Sequence, residues 1–147
     1  MVIEGPRSNN ELFNERGYWS LPTDIDLVAP AEAAFAKRLK RSGWSEDLDD
    51  FKLVFREALI NAMKHGSKDD PDKKVKVEIK VSKERVYIQI RDEGEGFDPA
   101  QVPDPLLPEN LLKSSGRGIF LMNNFFDSVT HEDGGKKIIM VKTKKEI

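Results

Sequence analysis

The clearest pattern along the chain is strict alternation. From residue 75, Val75, Val77, Ile79 and Val81 alternate with Lys76, Glu78 and Lys80, and Val86, Ile88 and Ile90 repeat the period after a short polar link, Ser82-Lys83-Glu84. Two such runs so close together predict an antiparallel hairpin with one covered face. Upstream the period changes. Residues 17–28 carry the aromatic and β-branched content of a short strand. Pro30 then opens a helical stretch with Ala31, Ala34, Phe35 and Leu39 on one side and Gly43 past its end. A second helix is predicted over residues 46–64, with Gly66 placed to stop it. Residues 98–113 contain Pro99, Pro103, Pro105 and Pro108 and read as a long loop. A helix restarts in "GRGIFLMNNFF", and a last hairpin turns around Asp133, Gly134 and Gly135. Early helices and late hairpins predict an α+β sandwich, with helices covering one face of a mostly antiparallel sheet.

Composition narrows the chemistry. The 147 residues suit one domain with a real core. We expect an N-terminal arm over residues 1–16 and a single domain over 17–147. The absence of cysteine excludes disulfides, thiolate metal sites and a cysteine nucleophile. A formal charge of −2, with both signs interspersed, supplies no global attraction to nucleic acid. The opening residues lack the apolar core of a signal peptide, and no apolar run approaches a membrane span. A soluble, cytoplasmic protein without direct nucleic-acid or membrane contact is expected.

The second helix carries an unusual stripe. At about 100° per residue, Phe51, Phe55, Ala58, Leu59 and Ala62 form its apolar face, while Lys52, Arg56 and Met63 fall towards an expected solvated side. Glu57, Asn61 and His65 line up separately, four residues apart, with Lys64 close by and Leu53, Ile60, Val54 and Ala58 as apolar flanks. An acid, a carboxamide and an imidazole in that setting are costly unless they are paired or face a polar ligand. The stripe alone is compatible with either a buried hydrogen-bond network or a ligand site.

Two glycine clusters add to it. In "DEGEGF", Asp92 ends a strand as a rigidly held acceptor, and Gly94 and Gly96 let the backbone approach a flat ligand; the same letters also suit an acidic surface turn. In "SSGRGIFLM", Gly116 and Gly118 bracket Arg117 before a helix, where free N–H groups and the helix dipole favour phosphate, although an ordinary helix start has the same form. Neither cluster matches the P-loop or dinucleotide templates.

Taken in order, "EALINAMKHG", "DEGEGF" and "GRGIFLM" resemble the N box and the two glycine boxes of the Bergerat-fold (GHKL) ATPases. The "E-A-L-x-N-A-x-x-H-G" form and "GIFLMNNFFDSV" are most similar to the bacterial anti-sigma factor serine-protein kinases, over nearly the whole chain from about residue 20. The resemblance implies a Bergerat two-layer sandwich that binds ATP and Mg²⁺. It implies that Asn61 is the metal ligand, that Glu57 is the general base, and that Lys64 and His65 lie near the phosphates or ribose. It makes Asp92 the acceptor of the adenine amino group, with Gly94 and Gly96 shaping that pocket. Residues 99–115 become an ATP lid, and Gly116, Arg117 and Gly118 meet the phosphates. Relatives with kinase activity often carry an arginine just ahead of the second glycine box. Here that neighbourhood reads Lys113, Ser114, Ser115, so the phosphate role falls to Lys113 or Arg117, with Ser115 beside them.

The activity implied is serine phosphorylation of a STAS-type anti-anti-sigma antagonist, together with sequestration of a sigma factor or similar regulator by a homodimer. The alternative is a non-catalytic module in a partner-switching circuit, in which ATP only sets partner affinity. A sensor histidine kinase is not expected, because His65 belongs to the N box and His131 to the last hairpin. A purely structural α+β domain would bind no nucleotide.

Overall fold

A computed structural model describes residues 2–3, 15–68, 70–94 and 123–144. Its strands are β1 (Val2–Ile3), β2 (Glu15–Pro22), β3 (Lys74–Val81), β4 (Arg85–Asp92), β5 (Ser128–Glu132) and β6 (Lys137–Thr143); its helices are α1 (Val28–Arg41) and α2 (Leu48–Asn61). Among the described residues the strands form one sheet in the order β1-β2-β3-β4-β6-β5, with every neighbouring pair antiparallel. Of the expected N-terminal arm, four residues are described: Val2 and Ile3 pair with Trp19 and Tyr18, and Glu15 and Arg16 begin β2.

The alternation read from sequence becomes the sheet's two faces. Val81 lies opposite Val86, Ile79 opposite Ile88 and Val77 opposite Ile90. Ile88 in turn lies opposite Met140 of β6. All of these side chains are buried beneath the helices, while Lys74, Lys76 and Arg85 stand exposed on the other face. Because side chains repeat every two residues, a slip of one position would turn this whole apolar set outwards, which pins the register.

The helices complete the second layer. α1 ends in a tight C-cap: Gly43 takes a left-handed conformation (φ 86°), its N–H donates to Lys40 C=O, and Trp44 N–H reaches back to Leu39 C=O. Pro30 sits in the first turn, where an amide N–H has no helical partner to lose. Arg38, Lys40 and Arg41 occupy the last turn of α1, and Asp49 and Asp50 the first turn of α2, each charge matching the local helix dipole. Between the layers Phe35, Phe51, Phe55, Phe125 and Phe126 pack as a mostly edge-to-face cluster, with Phe35–Phe55 and Phe51–Phe125 centroids both 4.8 Å apart.

One expectation about α2 is corrected. The helix was expected to run straight to residue 64 with Met63 towards solvent, yet Met63 is fully buried. The α-helix ends at Asn61, and Ala62–Gly66 form a single π-helical turn closed by Ser67 N–H donating to Ala62 C=O at 2.8 Å. A five-residue closure accommodates one more residue per turn than an α-helix and shifts the angular phase of the residues after Asn61. That shift carries Met63 into the core. Among the described residues no helix is long and apolar enough to cross a membrane.

Candidate active site

The π turn delivers Gly66 to the end of β4, where Asp92 lies. Asp92 is in phase with Val86, Ile88 and Ile90 and pairs with Val75, so its side chain enters the core-facing side of the sheet, and the residue is only 2% exposed. Its backbone N–H donates to Lys136 C=O at 2.9 Å. Its carboxylate Oδ1 accepts the Gly94 N–H at 2.8 Å. Burial pushes the Asp92 carboxyl above its ordinary range, opposed by the Gly94 N–H and by the charges of Lys136, Arg91 and Lys73. A buried acceptor with one oxygen clasped by the backbone is a suitable recognition group for a neutral donor.

Two glycines make the close packing possible. A Cβ on Gly66 would lie 2.1 Å from Asp92 Oδ2 and 2.3 Å from its Cγ. A Cβ on Gly94 would lie 1.9 Å from the Gly66 carbonyl oxygen. Gly66 is the last residue of the helical stretch, as expected of a stop, and it has no positive φ. Its missing side chain is required by Asp92, a contact between residues 26 positions apart that helix-stop rules cannot register.

The α2 stripe leads into the π turn that carries Gly66. Glu57 is buried at 5% exposure and engaged in polar interactions. Asn61 is half-buried at the last α-helical position, and Lys64 is exposed in the π turn. Leu53 and Ile60, one predicted flank, are half-buried; Val54 and Ala58, the other, are buried. The helix therefore presents a graded edge, from a closed core through Glu57 to the accessible Asn61 and Lys64. The side chain of His65, and all of Gly96, Lys113, Ser115, Gly116, Arg117 and Gly118, lie outside the described residues. The expected lid and most of the second glycine box fall there too; the helix after that box is described only at residues 123–125.

The donor set fits the implied groups. A carboxamide oxygen at the edge of the core, one turn after a carboxylate, offers hard oxygen ligation with room for water and phosphate, as Mg²⁺ requires. At the other end, Gly66, Asp92 and Gly94 form a surface around one carboxylate to which the two glycines add no side chain, and into which a Cβ on either would intrude. Glu93, beside this surface, is exposed and accepts the Lys74 N–H, tying the loop's start to β3.

Known proteins resemble this chain over most of its length. The histidine kinase-like ATPase domain family matches residues 21–142. The chain is 31% identical over 136 residues to the serine-protein kinase RsbW of Staphylococcus epidermidis, covering 86% of each chain. It is 25% identical over 130 residues to the RsbW of Listeria innocua serovar 6a, covering 83% of each. To the anti-sigma F factor of Geobacillus kaustophilus it is 35% identical over 119 residues, covering 78% of this chain and 79% of that one. With a strand-end carboxylate clasped by glycine backbone and a carboxylate–carboxamide edge on the helix beside it, the chain belongs to the family of histidine kinase-like ATPase domains.

Proposed function

We propose that this protein is an ATP-dependent serine-protein kinase of the anti-sigma factor type, which sequesters a sigma factor or similar regulator and phosphorylates a serine on a STAS-type antagonist. Membership in an ATPase family implies the use of ATP. The observation that carries the site assignment is the buried Asp92 carboxylate, held by Gly94 N–H and packed on Gly66. Asp92 accepts the adenine amino hydrogen, while Gly94 and Gly66 keep side chains away from the ring plane. Gly96 is assigned to the same pocket by its place in the first glycine box.

On α2, Asn61 would hold Mg²⁺, which when bound would neutralise charge on the phosphates. Glu57 takes the proton from the attacking serine hydroxyl onto a carboxylate oxygen. Its place on rigid helix, inside apolar surroundings, keeps water from competing for that proton. Lys64 and His65 lie along the phosphates or ribose. Lys113, Ser115, Gly116, Arg117 and Gly118 supply cations, a hydroxyl and N–H groups to the phosphates, with Lys113 or Arg117 in the place of the arginine that such kinases often carry. Residues 17–147 form the ATP-binding domain, which acts as a homodimer.

The test is transfer of labelled γ-phosphate from Mg·ATP to a matched STAS-domain protein. Wild-type protein is expected to label one serine, and Glu57→Ala to bind ATP but not to label it. Full labelling by the variant would remove Glu57 from the role of base. Saturable ATP binding by wild-type protein without labelling of a matched antagonist would refute kinase activity.

A further inference from the structure

Gly66 belongs to no role that the site residues were expected to play, yet it touches the group proposed to read the base. We propose that Gly66 is a positioning residue that sets the orientation of the Asp92 carboxylate and, through it, the selectivity for a 6-amino purine. This inference rests on the reading of Asp92 as the adenine acceptor.

The backbone of Asp92 has little freedom, being paired with Val75 on one side and bonded to Lys136 on the other. What remains is rotation of its side chain. One limit on that rotation is the Gly94 N–H at Oδ1. The other is Gly66: the three outer atoms of the carboxylate, Oδ2, Cγ and Oδ1, would lie 2.1, 2.3 and 2.8 Å from a Cβ at that position. These distances are shorter than real Cβ contacts permit, so even a methyl group at residue 66 must turn the carboxylate away. Turning it also carries Oδ1 off the Gly94 N–H, so the clasp is lost with the orientation.

The π turn is what puts Gly66 there. Ser67 N–H closes on Ala62 C=O across five residues, directly after Asn61. A continuous stretch of backbone thus joins the helix edge that carries Glu57 and Asn61 to the floor beneath Asp92. π turns inserted in helices occur frequently at functional sites. Here the turn fixes the distance between the phosphate end and the base end of the site.

An oriented anionic acceptor favours an amino hydrogen and disfavours a carbonyl oxygen at the same place, because two acceptors would face each other across the contact. Calorimetric titration of the full-length protein with Mg·ATP and Mg·inosine triphosphate, whose 6-position is a carbonyl, reads this directly. Wild-type protein is expected to prefer ATP by roughly 10- to 100-fold, the range for one hydrogen bond to a charged group. Gly66→Ala is expected to lose most of that ratio while retaining Mg-dependent triphosphate binding. A variant that keeps the wild-type ratio overturns the inference with the adenine reading intact. A wild-type protein without any preference instead refutes the adenine reading itself.

A second measurement covers the case in which Gly66→Ala folds poorly. Removing the carboxylate in the Gly66→Ala, Asp92→Ala double variant makes room for the new methyl group. Strongly non-additive stability in urea titration, with the double variant at least as stable as Gly66→Ala alone, supports the contact. Additive losses overturn it.

Discussion

The two ends of the β3–β4 hairpin share one register and one alternating pattern, yet they are built to opposite ends. At the turn, Val81 and Val86 are fully buried, and Ser82 organises the connection: its Oγ accepts the N–H groups of Glu84 and Arg85, and its carbonyl accepts Trp44 Nε1–H at 2.7 Å. At the open end the same alternation buries Val75 beside Asp92, whose carboxylate has a backbone donor in Gly94 and a floor of glycine. The first end contributes to stability through apolar contact and satisfied polar groups. The second holds an acid in surroundings that disfavour its charge, and it is the group proposed above to meet a ligand.

The contrast predicts that substitutions at the two ends separate function from stability. The largest effect is expected at the helix edge facing the open end. Glu57→Ala should lower phosphotransfer by about 10²- to 10⁴-fold, the range for a lost general base, with ATP affinity little changed. Transfer and binding assays on the same preparation decide it.

Asp92→Asn comes next, with ATP affinity falling roughly 10- to 100-fold. Its effect on folding has the opposite sign. Because burial raises the folded-state pKa of Asp92, the native state holds a proton that the unfolded chain lacks at pH values between the unfolded and native pKa. The group's contribution is therefore most favourable below its unfolded value, and it is lost as pH rises through the raised native value. The carboxamide of the variant carries no such dependence, and its oxygen still accepts the Gly94 N–H. Urea titrations across pH should find the variant gaining on wild type as pH rises through the raised native Asp92 value. A constant difference at all pH values would contradict the buried-charge account.

The turn end should behave in reverse. Trp44→Phe keeps the ring edge against Phe51 but leaves the Ser82 carbonyl without its donor, at a cost of about 1–3 kcal/mol in unfolding free energy. ATP affinity should be unchanged, and a loss there would mean that the two ends are coupled. The smallest effect is expected for Arg91→Ala. Arg91 pairs with Asp133 on the half-exposed face of the sheet, and such pairs contribute about 1 kcal/mol or less. High salt should hide the difference.

Much of this was legible in the residues because the periods are strong. Alternation sets which faces of β3 and β4 are covered, and the short Ser82-Lys83-Glu84 link sets the pairing that is seen. The core face of α2 follows equally well: Phe51, Phe55, Ala58, Leu59 and Ala62 are all buried. The candidate site was legible as three ordered motifs, and the structure brings the described parts of two of them, Gly66 of the N box and Asp92 with Gly94, into contact. Met63 was misread because it lies where α2 widens into a π turn, and a fixed angle per residue describes the helix only up to Asn61.

By itself, then, the sequence determined the period of each element, the face each buries and the chemical type of each group available to a ligand, because these depend on neighbours within a few residues. Only the tertiary structure decided that the Asp92 carboxylate rests on Gly66, that Gly94 clasps it, and that the wider turn after Asn61 brings the helix and the strand together. The meeting of helix and strand spans 26 positions of chain, and there the space left by one element sets the conformation of the other.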